Sequence, residues 1–129
     1  MPNSIKRLPD SELEIMMIVW EAKAPISSAY ISEKLVNRKD WKITSILTFL
    51  TRLAEKGFIT VERRGKSNIY TAVVKEEDYL KKESRSFLNK LYGNSLTSFV
   101  SSLYKNNDIS EEDINELKAF IDMKTKGDK

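Results

Sequence analysis

Thr44, Ser45 and Thr48 place three short hydroxyl side chains within one turn and a half of a predicted helix, with Lys42 before them and Arg52 after. Arg63, Arg64 and Lys66 follow in a short basic stretch around Gly65. These residues suit recognition rather than bond making. A hydroxyl can bond to several base edges, and a Thr methyl can touch the methyl of thymine. Lys and Arg meet phosphates, which adds affinity and position but little sequence choice. Arg52 has two readings, a phosphate contact or an ion pair with Glu55 or another acid of the same domain. The residues of covalent chemistry are missing. The 129-residue sequence holds no Cys and no His. It therefore has no disulfide framework, thiolate metal site or cysteine nucleophile, and lacks the usual general base and the commonest zinc ligand. No Asp/Glu pair falls in a catalytic motif, so neither an enzyme nor a cofactor or metal is expected.

The elements that position these side chains are legible from spacing. Ile43, Ile46, Leu50 and Leu53 recur three or four apart and define one apolar helix face over 42–56. Thr44, Ser45, Thr48, Thr51, Arg52 and Glu55 fall on the other faces, and Gly57 ends the helix in a left-handed conformation. The alternating run 58–63, the turn Arg64-Gly65-Lys66-Ser67 and the run 68–73 predict a hairpin. Upstream, a first helix starts near Pro9-Asp10, with Asp10 and Glu12 set against its dipole and a core stripe of Leu13, Met16, Met17 and Trp20. Ala24-Pro25 breaks it. A second helix, capped by Ser27 or Ser28, turns Tyr30, Ile31 and Leu35 inward. Asn37-Arg38-Lys39-Asp40 forms a turn before Trp41 re-enters the core. Helix, helix, turn, helix, hairpin is the order of a winged helix-turn-helix. It puts 42–56 in the position that enters a major groove of double-stranded DNA.

After Val74 the pattern changes to three short amphipathic helices. Leu80, Phe87, Leu88 and Leu91 mark the first, and Tyr92-Gly93-Asn94 stops it. Ser95 caps the second, on which Leu96, Phe99, Val100 and Leu103 repeat. Ser110 and Asp113 frame a capping box for the third, stapled by Ile109 and Ile114 and carrying Leu117, Phe120 and Ile121. The fold class expected is mainly α with a small β-hairpin, a winged helix-turn-helix over 1–74 and a helical dimerisation domain over 75–122. A frayed or disordered tail is expected over 123–129. Three such helices are too few to bury their own apolar stripes. A second copy of the chain solves this, with Leu80, Phe87, Leu88, Leu91, Phe99, Leu103, Leu117, Phe120 and Ile121 at a homodimer interface. A twofold dimer also sets two recognition helices on a palindrome. The alternative is that these helices fold back onto the chain's own winged domain.

Charge agrees with this division. Residues 1–74 carry 12 Lys and Arg against 8 Asp and Glu, and residues 75–129 carry 10 against 11, giving the total of +3. The positive excess lies in the half holding the hairpin, as a phosphate-facing surface requires. With no long apolar run and no apolar core at the N-terminus, a cytoplasmic protein is expected.

Leu13-Glu-Ile-Met-Met-Ile-Val-Trp20, Leu50-Thr-Arg-Leu-Ala-Glu-Lys-Gly57 and Tyr70 resemble the penicillinase-repressor family (BlaI/MecI/CopY). So do Ser86-Phe-Leu-Asn-Lys-Leu-Tyr92 and Ile109-Ser-Glu-Glu-Asp-Ile-Asn-Glu-Leu117, and the likeness runs from about residue 8 to 121. The resemblance implies a homodimeric repressor of palindromes built from TACA/TGTA half-sites, ahead of resistance or homeostasis genes. In the beta-lactam branch a membrane sensor-protease signals and the repressor is cut in its C-terminal domain; in the copper branch a cysteine cluster senses metal. The absence of cysteine favours the beta-lactam branch. Relatives are cut at an Asn-Phe bond, and Ser102-Leu103 is the pair that aligns with it here; this departure leaves open cleavage at that pair, a different cut site, a different sensor specificity or loss of cleavage control. Leu47 stands where some relatives carry Arg, so an apolar thymine contact replaces a charged one. Two other readings stay open: a winged-helix repressor answering another signal or small ligand, and a winged-helix protein-interaction adaptor, against which the basic wing argues.

Overall fold

The computed structural model describes residues 5–36 and 40–127. The turn expected at Asn37-Arg38-Lys39 lies outside the described residues. Helices α1 (Asp10–Ala22), α2 (Ser28–Leu35) and α3 (Ile43–Glu55) are followed by the hairpin β2 (Ile59–Arg64) and β3 (Ser67–Ala72). A short strand β1 (Ile26–Ser27) pairs antiparallel with β3, giving a sheet of order β1-β3-β2. Beyond the hairpin come α4 (Glu76–Tyr92), α5 (Leu96–Lys105) and α6 (Glu111–Gly127). Ser27 caps α2 by accepting a hydrogen bond from the Tyr30 N–H.

The chain divides into two compact units, 1–83 and 84–129. The first is a winged helix-turn-helix with one core. Ile15, Met16, Ile18, Val19 and Trp20 of α1 meet Ile31 and Leu35 of α2, Ile46, Leu50 and Leu53 of α3, and Phe58, Ile59 and Tyr70 of the hairpin. The stripe on α1 differs from the spacing expected. Met17 is 43% exposed and Leu13 only half-buried, whereas Ile15, Ile18 and Val19 are buried. The cause is coverage: α2, α3 and β3 all pack on α1, so its buried arc is wider than one amphipathic stripe and lies away from Met17.

The first unit extends beyond the boundary expected at residue 74 because the first turn of α4 seals it. Tyr79 is 2% exposed. Its ring packs against Trp20 at 5.7 Å and Phe58 at 5.8 Å between centroids, and its hydroxyl accepts the Leu8 N–H at 3.0 Å. Trp20 Nε1 donates to the Val74 carbonyl at 2.9 Å.

The second unit is open by comparison. Phe87, Tyr92 and Phe99 form an aromatic trio with centroids 5.3–6.0 Å apart, and the Tyr92 hydroxyl lies 3.4 Å from Ser102 Oγ. No residue of α5 is fully buried. Ser95 caps α5, and Ser110 and Asp113 make both bonds of the capping box on α6. The last helix runs to Gly127, past residue 122, where the tail was placed by its Lys-rich composition. Acidic residues in its first turn and Lys124 and Lys126 in its last suit the helix dipole, and Lys124 lies over the Phe120 ring at 5.8 Å.

Candidate nucleic-acid interface

On α3 the chain separates a buried face from an exposed one. Ile46, Leu50 and Leu53 are 1%, 1% and 0% exposed and anchor the helix in the core. Ile43, expected on that face, is instead 45% exposed, because it opens the helix at the edge of the packed arc. Thr44, Leu47, Thr48 and Thr51, spaced i, i+3, i+4, i+7, form an exposed row on the opposite side. Ser45 is half-buried at its flank. Lys42 is the N-cap residue, and its carbonyl accepts from the Ser45 and Ile46 N–H groups. Arg52 is exposed and, among the described residues, makes no ion pair with Glu55. Trp41 packs edge-on against Phe49 at 5.3 Å, fixing the entry into α3.

Two hydroxyls of the exposed row are engaged within the helix. Thr48 Oγ1 donates to the Thr44 carbonyl at 2.9 Å, and Thr51 Oγ1 to the Leu47 carbonyl at 3.0 Å. Each oxygen then faces outward only as an acceptor, beside its methyl.

The wing is a two-residue hairpin with Gly65 at φ +63, the first loop position, where glycine adopts a positive φ without strain. Arg63, Arg64 and Lys66 are all exposed around it. Arg63 Nε donates to the Gly65 carbonyl at 3.1 Å, which stiffens the tip. Arg64 pairs with Glu62 at 3.2 Å, both side chains largely in water, so the pair is weak and its cation remains available. The basic and hydroxyl residues singled out by sequence thus fall into two patches of one unit, the α3 row and the wing tip.

The spacing did not reveal what holds α3 at its far end. Lys56, the C-cap residue of α3, pairs with Glu12 of α1, whose side chain is 3% exposed. Forty-four positions separate the two residues, and no local pattern links them.

In the second unit, Leu88, Phe99, Leu103 and Leu117 are half-buried, whereas Phe87, Leu91, Phe120 and Ile121 are 39%, 64%, 54% and 48% exposed. Leu80, on the part of α4 within the first unit, is 45% exposed. An open groove of about 570 Å³ between α5 and α6 is lined by Leu96, Val100, Tyr104, Ile114, Leu117 and Ile121. Ser102 and Leu103 sit half-buried in the body of α5. Among the described residues no helix is long and apolar enough to cross a membrane.

Known proteins align with both units. The profile of the family described as "Penicillinase repressor" matches residues 8–123. The chain is 33% identical over 118 residues to the penicillinase repressor of Bacillus licheniformis, covering 92% of this chain and 91% of that one. It is 34% identical over 124 residues to the methicillin resistance regulatory protein MecI of Staphylococcus aureus (strain N315), covering 96% and 100%. Among solved structures it is similar to the Bacillus licheniformis BlaI monomeric form in complex with the blaP half-operator. That likeness has 30% identity and a TM-score of 0.50, and covers 59% of this chain and 92% of that one.

Proposed function

Because the chain belongs to the penicillinase repressor family, whose members are transcriptional regulators and not enzymes, we propose that it is a DNA-binding repressor. One observation carries the reading. The exposed, uncharged row of α3 is bracketed by Lys42 and Arg52 and accompanied by a basic wing, in a unit similar to BlaI solved on its half-operator. Such a surface places hydroxyl and methyl groups against base edges and cations against phosphates. Thr44, Ser45 and Thr48 are the base-reading residues of this proposal, and Lys42, Arg52, Arg63, Arg64 and Lys66 meet the backbone.

The fuller reading is a homodimer on a TACA/TGTA palindrome controlling beta-lactam resistance genes. The exposed Phe87, Leu91, Phe120 and Ile121 support a second copy as the cover, because a unit this small leaves them in water otherwise. Relief comes from proteolysis at Ser102-Leu103 after a signal from a membrane sensor-protease. A cut there divides α5 and removes the linkage of the two readers, on which their combined affinity depends.

The test is a reporter gene behind the palindrome in a bacterial host. Expression of the chain should silence it, and Thr48→Ala combined with Arg64→Ala should restore it. A reporter unaffected by the wild-type chain, at protein levels confirmed by immunoblot, would argue for a protein-interaction adaptor instead.

A further inference from the structure

We infer that this chain reads its operator chiefly through the C5-methyl groups of thymine, with Leu47 as the specificity-determining residue. The inference rests on the DNA-binding reading above and says how that surface discriminates. From Ile43 to Thr51 the sequence has nine consecutive residues without a charge, in a chain that is 32% charged. In the major groove, guanine is most often read by Arg or Lys and adenine by Asn or Gln. The exposed row Thr44, Leu47, Thr48, Thr51 holds none of these.

What the row does present is carbon. Leu47 is 39% exposed at its centre, and Ile43 is 45% exposed at its edge. The hydroxyl protons of Thr48 and Thr51 are already spent on the Thr44 and Leu47 carbonyls, which leaves methyls and acceptor oxygens at the surface. An exposed leucine on the face of a helix bracketed by Lys42 and Arg52 has an obvious apolar counterpart in the groove. The thymine methyl is the one apolar group that a base pair offers there. The same oxygens can accept from an adenine N6 or a cytosine N4 amine, so discrimination falls to the methyl groups.

The experiment compares the palindromic TACA/TGTA duplex with one in which deoxyuridine replaces thymidine in both half-sites, removing only the methyls. A third duplex carries deoxyuridine in the spacer alone, and a fourth is scrambled. Wild-type protein should lose about fourfold in affinity for each methyl it buries, while the spacer substitution should change nothing. Leu47→Ala should bring the thymidine-to-deoxyuridine ratio close to one while keeping salt-sensitive binding. Thr48→Ser, which deletes a methyl and keeps the hydroxyl, should lower the ratio by less. Thermal melting of each variant checks that this exposed face is not needed for folding.

Equal binding of thymidine and deoxyuridine duplexes, with the palindrome still preferred over the scrambled duplex, would overturn this inference and leave the repressor reading intact. An unchanged ratio in Leu47→Ala would also overturn it, because the methyl effect would then act through other side chains of the row or through duplex shape. No preference for the palindrome over the scrambled duplex would overturn the TACA/TGTA reading along with this inference.

Discussion

Glu12 and Lys56 tie the candidate recognition helix α3 to α1 from outside its exposed row. Glu12 lies on the first turn of α1, where its position alone suggests an interaction with the helix dipole. In the fold its carboxylate is buried and accepts from Lys56 at the end of α3. The two helices are thereby tied by a charged contact in addition to their shared apolar core. Glu12→Gln leaves Lys56 without its counter-charge, and should cost about 2 kcal/mol, less than for a fully buried pair because Lys56 reaches solvent. Urea unfolding measures it, and an unchanged midpoint would show the pair to be incidental. The wing residues belong to a different class. Lys66→Ala should weaken palindromic and scrambled duplexes alike and flatten the salt dependence by about one counterion. Thr48→Ala should weaken the palindrome alone. Equal losses for both variants on both duplexes would contradict the division into reading and positioning residues.

Among the elements, α4 departs most from its sequence pattern. Its apolar spacing marks Leu80 and Phe87, yet the residue that matters most to the first unit is Tyr79, which closes the core over Trp20 and Phe58. A tyrosine within a charged run carries no signal that it will be buried; only the fold brings Leu8 and its N–H to the hydroxyl. A fragment ending at residue 83 should therefore unfold cooperatively, whereas one ending at 74 should melt well below it. Circular dichroism melts of the two decide this, and equal melting temperatures would show α4 to be dispensable to the winged helix. Strand β1 has no sequence signature for a related reason, since two residues give no period and pair only because β3 is there to receive them. The hairpin, the caps at Ser95 and Ser110, and the buried Ile46, Leu50 and Leu53 of α3 were legible because each is written locally, by turn residues, hydroxyl caps or a repeat of three and four, whereas two adjacent serines leave the cap of α2 at Ser27 or Ser28 and the repeat wrongly includes Ile43. Met17 was misplaced because a helix covered on several sides does not announce which edge stays wet.

At the scale of the whole molecule, the second unit leaves Phe87, Leu91, Phe120 and Ile121 exposed, and the proposed dimer rests on that surface. α5 itself has no fully buried residue. With a second copy in place, Leu103→Asp or Leu117→Asp should shift the protein to monomer in sedimentation experiments and weaken operator binding far more than it weakens binding to a single half-site. A variant that stays dimeric would remove these residues from the interface. The proposed cut at Ser102-Leu103 falls in this helix, where local opening breaks few buried contacts.

The most direct test of the central claim is a fluorescence-anisotropy titration of the protein against a TACA…TGTA palindrome and a scrambled duplex of equal composition, each at two salt concentrations. Tight, salt-sensitive binding with strong preference for the palindrome is the predicted result. Failure to bind either duplex at low salt would contradict it, and would mean that the α3 row and the basic wing face something other than DNA.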